Sequence, residues 1–133
     1  MVARPSSTHI RIELGNLSLR ATLNHTETGL LVCDKVPFSS RVNRWGDEIY
    51  FTVPITTELE EGASDVVERG EICFWPPGRA MALFFGPTPA SVAGECRAAS
   101  PVNVFGRVDE DLSQLSGVRA GERVVIRLDE GDA

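Results

Sequence analysis

The residues best suited to chemistry lie on one face of a predicted hairpin. Gly46-Asp47 separates two strand-like runs, and glycine in the first central position is typical of a type II′ turn. That turn predicts Trp45 opposite Glu48 and fixes the rest of the register. One face then offers a cation, a carboxylate, an amide and two large aromatic rings, contributed by Arg41, Asn43, Trp45, Glu48, Tyr50 and Thr52. The same face could instead be a set of cross-strand pairs that only stabilise the sheet.

A second hairpin adds aromatic residues to this candidate surface. Pro77 and Gly78 suit the two central positions of a type II turn, which predicts Trp75 opposite Ala80. Adjacent strand residues point to opposite faces, so one residue of the Phe84-Phe85 pair must leave the core. We predict a groove that binds a ligand through Asn43, Trp45, Glu48, Tyr50, Trp75, Arg79, Phe84, Phe85, Asn103 and Phe105. A rigid turn and ordinary packing are the alternative explanations of this second hairpin.

Alternation of apolar and polar residues predicts a mainly β protein. The predicted strands are His9–Leu14, Leu17–Leu23, Arg41–Trp45, Glu48–Pro54, Glu71–Pro76, Arg79–Gly86, Pro101–Val108 and Glu122–Leu128. Eight short strands joined by Gly/Pro turns favour a closed eight-stranded antiparallel barrel. We expect their apolar faces to form one core with Val42, Ile49, Phe51, Val53, Ile72, Phe74, Met81, Leu83, Val102, Val104, Val124 and Ile126.

Two short helices are predicted to cap the ends of this barrel. Asn24 and Glu27 have the spacing of a capping box, which predicts a helix from His25 to Lys35. The acidic run 109–111 suits the start of a second helix, and Gly117 suits its end.

Length and composition narrow the classes of function. The 133 residues fit one domain, 1–133, with polar ends at 1–7 and 129–133 that we expect to be flexible. A formal charge of −6 opposes binding to nucleic-acid phosphates. The absence of a long apolar run or a signal peptide predicts a cytoplasmic protein that does not enter a membrane. Cys33, Cys73 and Cys96 are then expected to be unpaired thiols.

The common catalytic and cofactor motifs are missing from the sequence. There is no phosphate-binding loop, no dinucleotide fingerprint, no nucleophile elbow and no zinc-protease motif. The two histidines, His9 and His25, lie near the N-terminus and at a helix start. We therefore predict no cofactor and no metal site.

Three segments of the sequence resemble the small prokaryotic cyclophilin-like proteins. The segments are Val36–Phe51, Gly70–Arg79 with the following Leu83–Pro89, and Ser100–Gly106. The resemblance implies an eight-stranded cyclophilin barrel closed by two helices. Cyclophilins bind proline with an arginine in a Phe-His-Arg run and a glutamine near Gly-Gly. Ser39-Ser40-Arg41 matches only the arginine, and the single glutamine, Gln114, lies in the predicted second helix.

Three functions are compatible with these patterns. We favour a domain that binds a peptide or a small molecule, including a small anion held by Arg41 or Arg79. The alternative is a peptidyl-prolyl isomerase in which Arg41 is catalytic and stabilises the twisted amide, a reaction that needs neither base nor nucleophile. The third is a structural subunit of a larger enzyme. The sequence leaves the oligomeric state open, and a homodimer is one of the alternatives.

Overall fold

The computed structural model describes residues 7–129, which form ten strands and one α-helix. The strands are β1 (Ser7–Leu14), β2 (Leu17–Asn24), β3 (Phe38–Arg41), β4 (Asn43–Arg44), β5 (Glu48–Thr52), β6 (Ser64–Val67), β7 (Glu71–Trp75), β8 (Ala80–Phe84), β9 (Cys96–Val108) and β10 (Arg123–Leu128). The helix α1 spans Glu27–Lys35, and two short 3₁₀ turns span Pro76–Gly78 and Ser113–Gly117.

The strands form one antiparallel sheet whose ends are not joined by hydrogen bonds. Its order is β3-β10-β1-β2-β9-β7-β8-β5-β4, and β6 pairs with β9 outside that path. The predicted number of eight strands is therefore wrong, and closure of the barrel is not confirmed. The two end strands, β3 and β4, are nevertheless consecutive in the chain and are separated only by Val42. Val42 bonds instead to the loop before β10, through Glu122 O (2.8 Å) and Gly121 N (2.7 Å).

Both predicted hairpin registers are confirmed beside their turns, but the first stops at Asn43 and does not reach the predicted pairs Val42–Phe51 and Arg41–Thr52. Asn43 lies opposite Tyr50 at the first turn, and Trp75 lies opposite Ala80 at the second. The second turn is not type II, because Gly78 does not have a positive φ and Arg79 does, at 46°. Gly78 is instead required sterically, because a Cβ at this position would lie 2.6 Å from the Trp75 ring.

One predicted helix is confirmed and the other is not. The N-cap of α1 is Thr26, not Asn24, and its hydroxyl accepts a hydrogen bond from the Gly29 amide at 3.2 Å. Asn24 supports this cap by accepting from the Thr26 hydroxyl at 2.7 Å. The predicted second helix is only the 3₁₀ turn Ser113–Gly117, because one buried side chain, Leu115, anchors it and its first turn contains no acidic residue.

Strand β9 is longer than predicted and changes partners along its length. Its second half pairs with β2 and β7, and its first half pairs with β6. The prediction began this strand at Pro101, but the proline lies in the register shift between the two β6 pairings, where its missing N–H breaks no regular ladder. Strand β6 was missed because its four residues, Ser64–Val67, do not alternate.

The sheet buries two hydrophobic clusters rather than one core. Ten of the twelve predicted core residues belong to the larger cluster on the inner face, while Val102 and the partly buried Val104 belong to a smaller one. The smaller cluster includes Cys73, Ala82 and Phe84, which lie on the outer face of β7 and β8. It forms because the first half of β9, together with β6, folds back over that outer face.

Several other expectations have a structural outcome. Within residues 7–129, Cys33, Cys73 and Cys96 form no disulfide, as predicted. Residues 1–6 and 130–133 of the predicted flexible ends lie outside the described residues. Of the described residues in those ends, Ser7 begins β1 and Asp129 forms an ion pair with Arg20 at 2.9 Å. No helix within residues 7–129 is long and apolar enough to cross a membrane.

Gly15 and Gly46 have nearly the same φ, so substituting each of them tests how tightly the turn at Gly46 is packed. Gly46 (φ 63°) would place a Cβ 2.9 Å from Thr88 Cα, whereas a Cβ on Gly15 (φ 59°) would meet nothing within 4 Å. Gly15→Ala should destabilise the protein by about 1–2 kcal/mol through its left-handed backbone alone. Gly46→Ala should lose clearly more, because the Thr88 backbone must also move. Urea unfolding measures the loss of stability in each variant. Equal losses would show that the loop containing Thr88 does not pack on this turn.

Candidate ligand-binding site

A cavity of 270 Å³ opens on the outer face of the sheet, between the first hairpin and the folded-back half of β9. Its walls are mostly aromatic, with one carboxyl group and three small apolar side chains. The residues that line it are Trp45, Glu48, Tyr50, Trp75, Ala98, Ala99 and Val102.

The turn Gly46-Asp47 places Glu48 in this cavity. Trp45 and Glu48 exchange two backbone hydrogen bonds, at 3.0 and 3.2 Å, which close the turn. The Asp47 amide donates to Pro87 O and its carbonyl accepts from Phe85 N, both at 2.9 Å. The turn is thus held within its own hairpin and by the neighbouring loop, so the register of Glu48 is fixed from two sides.

Arg44 fixes the same turn to a distant part of the chain. Its guanidinium donates to Gly46 O at 2.6 Å and to Val118 O at 2.8 Å, and it pairs with Asp47 at 3.2 Å. The guanidinium carbon also lies 5.0 Å from the centre of the Phe85 ring, within cation–π range. Arg44 therefore positions the site although it does not line the cavity.

Two aromatic rings form a corner of the cavity. The rings of Tyr50 and Trp75 have centroids 6.3 Å apart and meet at 73°, an edge-to-face arrangement. The Trp75 indole N–H donates to Ser100 Oγ at 2.7 Å. The Trp75 ring also rests on Gly78, so its position is fixed by a hydrogen bond, a ring contact and a backbone contact.

Glu48 is the chemically unusual member of the site. Glu48 is only 7% exposed, and its Oε1 has no hydrogen-bond partner among the described residues. Burial raises its pKa to about 8. The carboxyl is therefore mostly protonated at neutral pH and can both donate and accept a hydrogen bond.

The structure brings four of the predicted site residues together and leaves three on other surfaces. Trp45, Glu48, Tyr50 and Trp75 line one cavity. Asn43 is exposed opposite Tyr50, and Arg79 is exposed after the second turn; neither lines the cavity. Arg41 lies on β3 opposite Arg123 and donates to Gly121 O at 3.1 Å, because the hairpin ladder stops at Asn43.

The remaining predicted site residues are buried and do not line the cavity. Phe84 is buried in the smaller cluster, so it is the member of its pair that leaves the main core, while Phe85 and Phe105 are buried in the larger cluster. Asn103 is buried opposite Phe74 on the inner face. Its side chain bonds to Glu60 N at 2.7 Å, Glu58 O at 2.9 Å and Thr28 Oγ1 at 3.1 Å, which ties α1 to the loop before β6.

The sequence interpretation missed the wall contributed by β9. Ala98, Ala99 and Val102 line the cavity because the first half of β9 folds over the outer face. The pair of alanines before Ser100-Pro101 is the only local signal, since small side chains leave room between two layers.

Comparison with known proteins assigns the fold to a family. A family model described as cyclophilin-like matches residues 8–127. The chain belongs to the cyclophilin-like family. It is also similar to the solution structure of a hypothetical protein from Archaeoglobus fulgidus, with 41% sequence identity and a TM-score of 0.82 over 97% of this chain and 100% of that one. No protein of curated function matches the sequence. Both comparisons agree with the mainly β fold of this cyclophilin-like chain.

The raised pKa of Glu48 predicts a pH-dependent stability. Between its ordinary value of 4.5 and about 8, the unfolded chain ionises Glu48 while the folded chain keeps the proton. The contribution of Glu48 to the free energy of unfolding is fully present below about pH 4.5. It falls as the pH rises towards 8, by up to about 1.4 kcal/mol per pH unit. Glu48→Gln removes this term, so the variant should gain stability relative to wild type between pH 5 and pH 8.

Urea unfolding of both proteins at pH 5, 6.5 and 8 makes this comparison. Carboxyls with lowered pKa, such as Glu13 and Glu95, contribute equally to both proteins and cancel. Glu61→Gln, at an exposed loop position, is the matched control and should follow wild type. Parallel pH profiles for wild type and Glu48→Gln would contradict a buried neutral carboxyl.

Proposed function

We propose that the protein binds a small organic ligand in the cavity between the first hairpin and β9. One observation carries the proposal: the chain has two tryptophans and one tyrosine, and all three line this cavity. Tyrosine and tryptophan are the side chains that combine a large apolar face with a polar group, which suits them to ligand contact. Their convergence with a buried carboxyl is the pattern of a binding pocket, apolar walls with few polar groups.

The energetics of Glu48 support a ligand more than simple packing. A buried polar atom without a hydrogen-bond partner costs free energy, roughly 1–3 kcal/mol. Glutamine or an apolar residue at this position would avoid the ionisation cost in a sheet that needed only to be packed. A ligand in the cavity that hydrogen-bonds to the Glu48 carboxyl would offset this cost.

Prolyl isomerisation and anion binding have less support. Arg41 was the only residue matched to the cyclophilin site, and it lies in a different ladder from the cavity. Among the described residues, the cavity lining includes no arginine, lysine or histidine. The described lining therefore offers no guanidinium to a prolyl amide nitrogen and no positive charge to an anionic ligand.

Intrinsic fluorescence tests the proposal directly, because both tryptophans of the chain line the cavity. A panel of cationic, neutral and anionic fragments should include members that change the emission with saturable binding. Ala99→Phe should abolish that binding, since it fills the cavity from its exposed edge without entering either cluster. Ala120→Phe, at an exposed loop position away from the cavity, should bind like wild type.

Two outcomes would reject the proposed function. In one, no fragment of any charge class gives a saturable change. In the other, Ala99→Phe and Ala120→Phe bind equally well, which would place the bound fragments outside this cavity.

A further inference from the structure

We propose that the ligand is an organic cation, a protonated amine or quaternary ammonium group held between the aromatic walls and the Glu48 carboxylate. This inference rests on the proposed function and names its ligand class. It follows from the shape of the aromatic corner, the Glu48 carboxyl in the cavity wall and the charge of the surrounding protein.

The aromatic corner matches the way proteins hold ammonium groups. A cation within about 6 Å of a ring centre is attracted by the negative face of the ring, and cages of several rings recognise quaternary ammonium ligands. Tyr50 and Trp75 meet at 73° and share the cavity with Trp45. A compact cation in this corner is therefore in reach of more than one ring.

Glu48 supplies the negative partner that such a cage needs. Its residue is 7% exposed, lies in the cavity wall, and keeps Oε1 without a partner among the described residues. It forms no salt bridge with any residue the structure describes, whereas nearby Arg44 is committed to Asp47 and Arg97 to Asp65. An incoming cation would thus meet a carboxyl that no side chain of the protein already neutralises.

The charge of the whole chain favours the same ligand class. The formal charge is −6, which attracts cations to the protein and repels anions. The cavity lining has no basic residue among those described, so no local charge opposes this field. A neutral ligand would gain nothing from either feature.

Cation binding must compete with a proton at Glu48. Asp47 and Tyr50 lie within two residues of Glu48 on the same hairpin, and Cys73 on β7 interacts electrostatically with Glu48. Glu71 on β7, Arg69 before β7 and Cys96 on β9 interact in turn with these thiols. Burial raises the pKa of both thiols, Cys73 and Cys96, which keeps them neutral near pH 7. Because burial also raises the pKa of Glu48 to about 8, cation affinity should rise with pH and level off above that value.

Two matched probe pairs test the charge requirement. Choline is compared with its uncharged isostere 3,3-dimethylbutan-1-ol, and benzylamine with benzyl alcohol. The shifts of the two tryptophan indole N–H signals in a ¹H–¹⁵N spectrum give Kd at pH 6, 7 and 8.5. At pH 8.5 we expect at least one cation to bind about tenfold or more tightly than its uncharged partner, a difference of about 1.4 kcal/mol. That advantage should shrink at pH 6.

Glu48→Gln separates the role of the charge from that of the cavity. It should remove the advantage of the cation over its uncharged partner, measured within the variant itself, together with the pH dependence of that advantage. Equal binding of cation and uncharged partner, or an advantage that survives in Glu48→Gln, overturns the cation proposal and leaves the binding pocket standing. The cation proposal is also overturned if fragments of the charge-class panel bind but neither cation does. Absence of binding by every probe and every fragment rejects the proposed function itself.

Discussion

The tight turn at Gly46-Asp47 is the constraint on which the site depends. Its register decides that Glu48, rather than Ile49, faces the outer side of the sheet, because a shift of one residue would exchange the two faces. The turn is held by the loop at Pro87 and by the Arg44 guanidinium, which reaches across to Val118. A β-carbon at Gly46 would collide with Thr88, so the glycine serves both the turn geometry and its packing. The chemistry of the cavity thus follows from a local backbone choice reinforced by distant contacts.

Folding the first half of β9 over the outer face turns an ordinary strand surface into a pocket. Without that layer, Trp45, Tyr50 and Trp75 would be exposed cross-strand aromatic residues and Glu48 a solvated carboxylate. The added layer removes water from Glu48, and the loss of water is what raises its pKa to about 8. The same layer creates the second hydrophobic cluster and leaves a space beside it. Burial of one acid and formation of one cavity are therefore two results of a single structural feature.

Much of the fold and half of the site could be predicted from the sequence, because tight turns are local signals. Gly46-Asp47 gave the pairing that unites Trp45, Glu48 and Tyr50, and the Trp75–Arg79 segment gave the second register. Arg41 was misplaced because the strand breaks at Val42, whose partners Gly121 and Glu122 are about eighty residues away in the chain. The wall from β9 and the burial of Glu48 likewise arise from long-range packing, which alternation and turn residues do not encode. The family model and the similar archaeal structure confirm the fold but name no ligand.

The ionisation of Glu48 is the property to measure, because the proposed ligand class depends on the burial of this carboxyl in the cavity wall. Selective ¹³C labelling of glutamate lets NMR follow its carboxyl carbon through a pH titration, with Glu48→Gln assigning the signal. The structure predicts a midpoint near the value of about 8 that burial imposes. A midpoint near 4.5, the ordinary pKa of glutamate, would show that water reaches the group and would contradict a buried, neutral carboxyl.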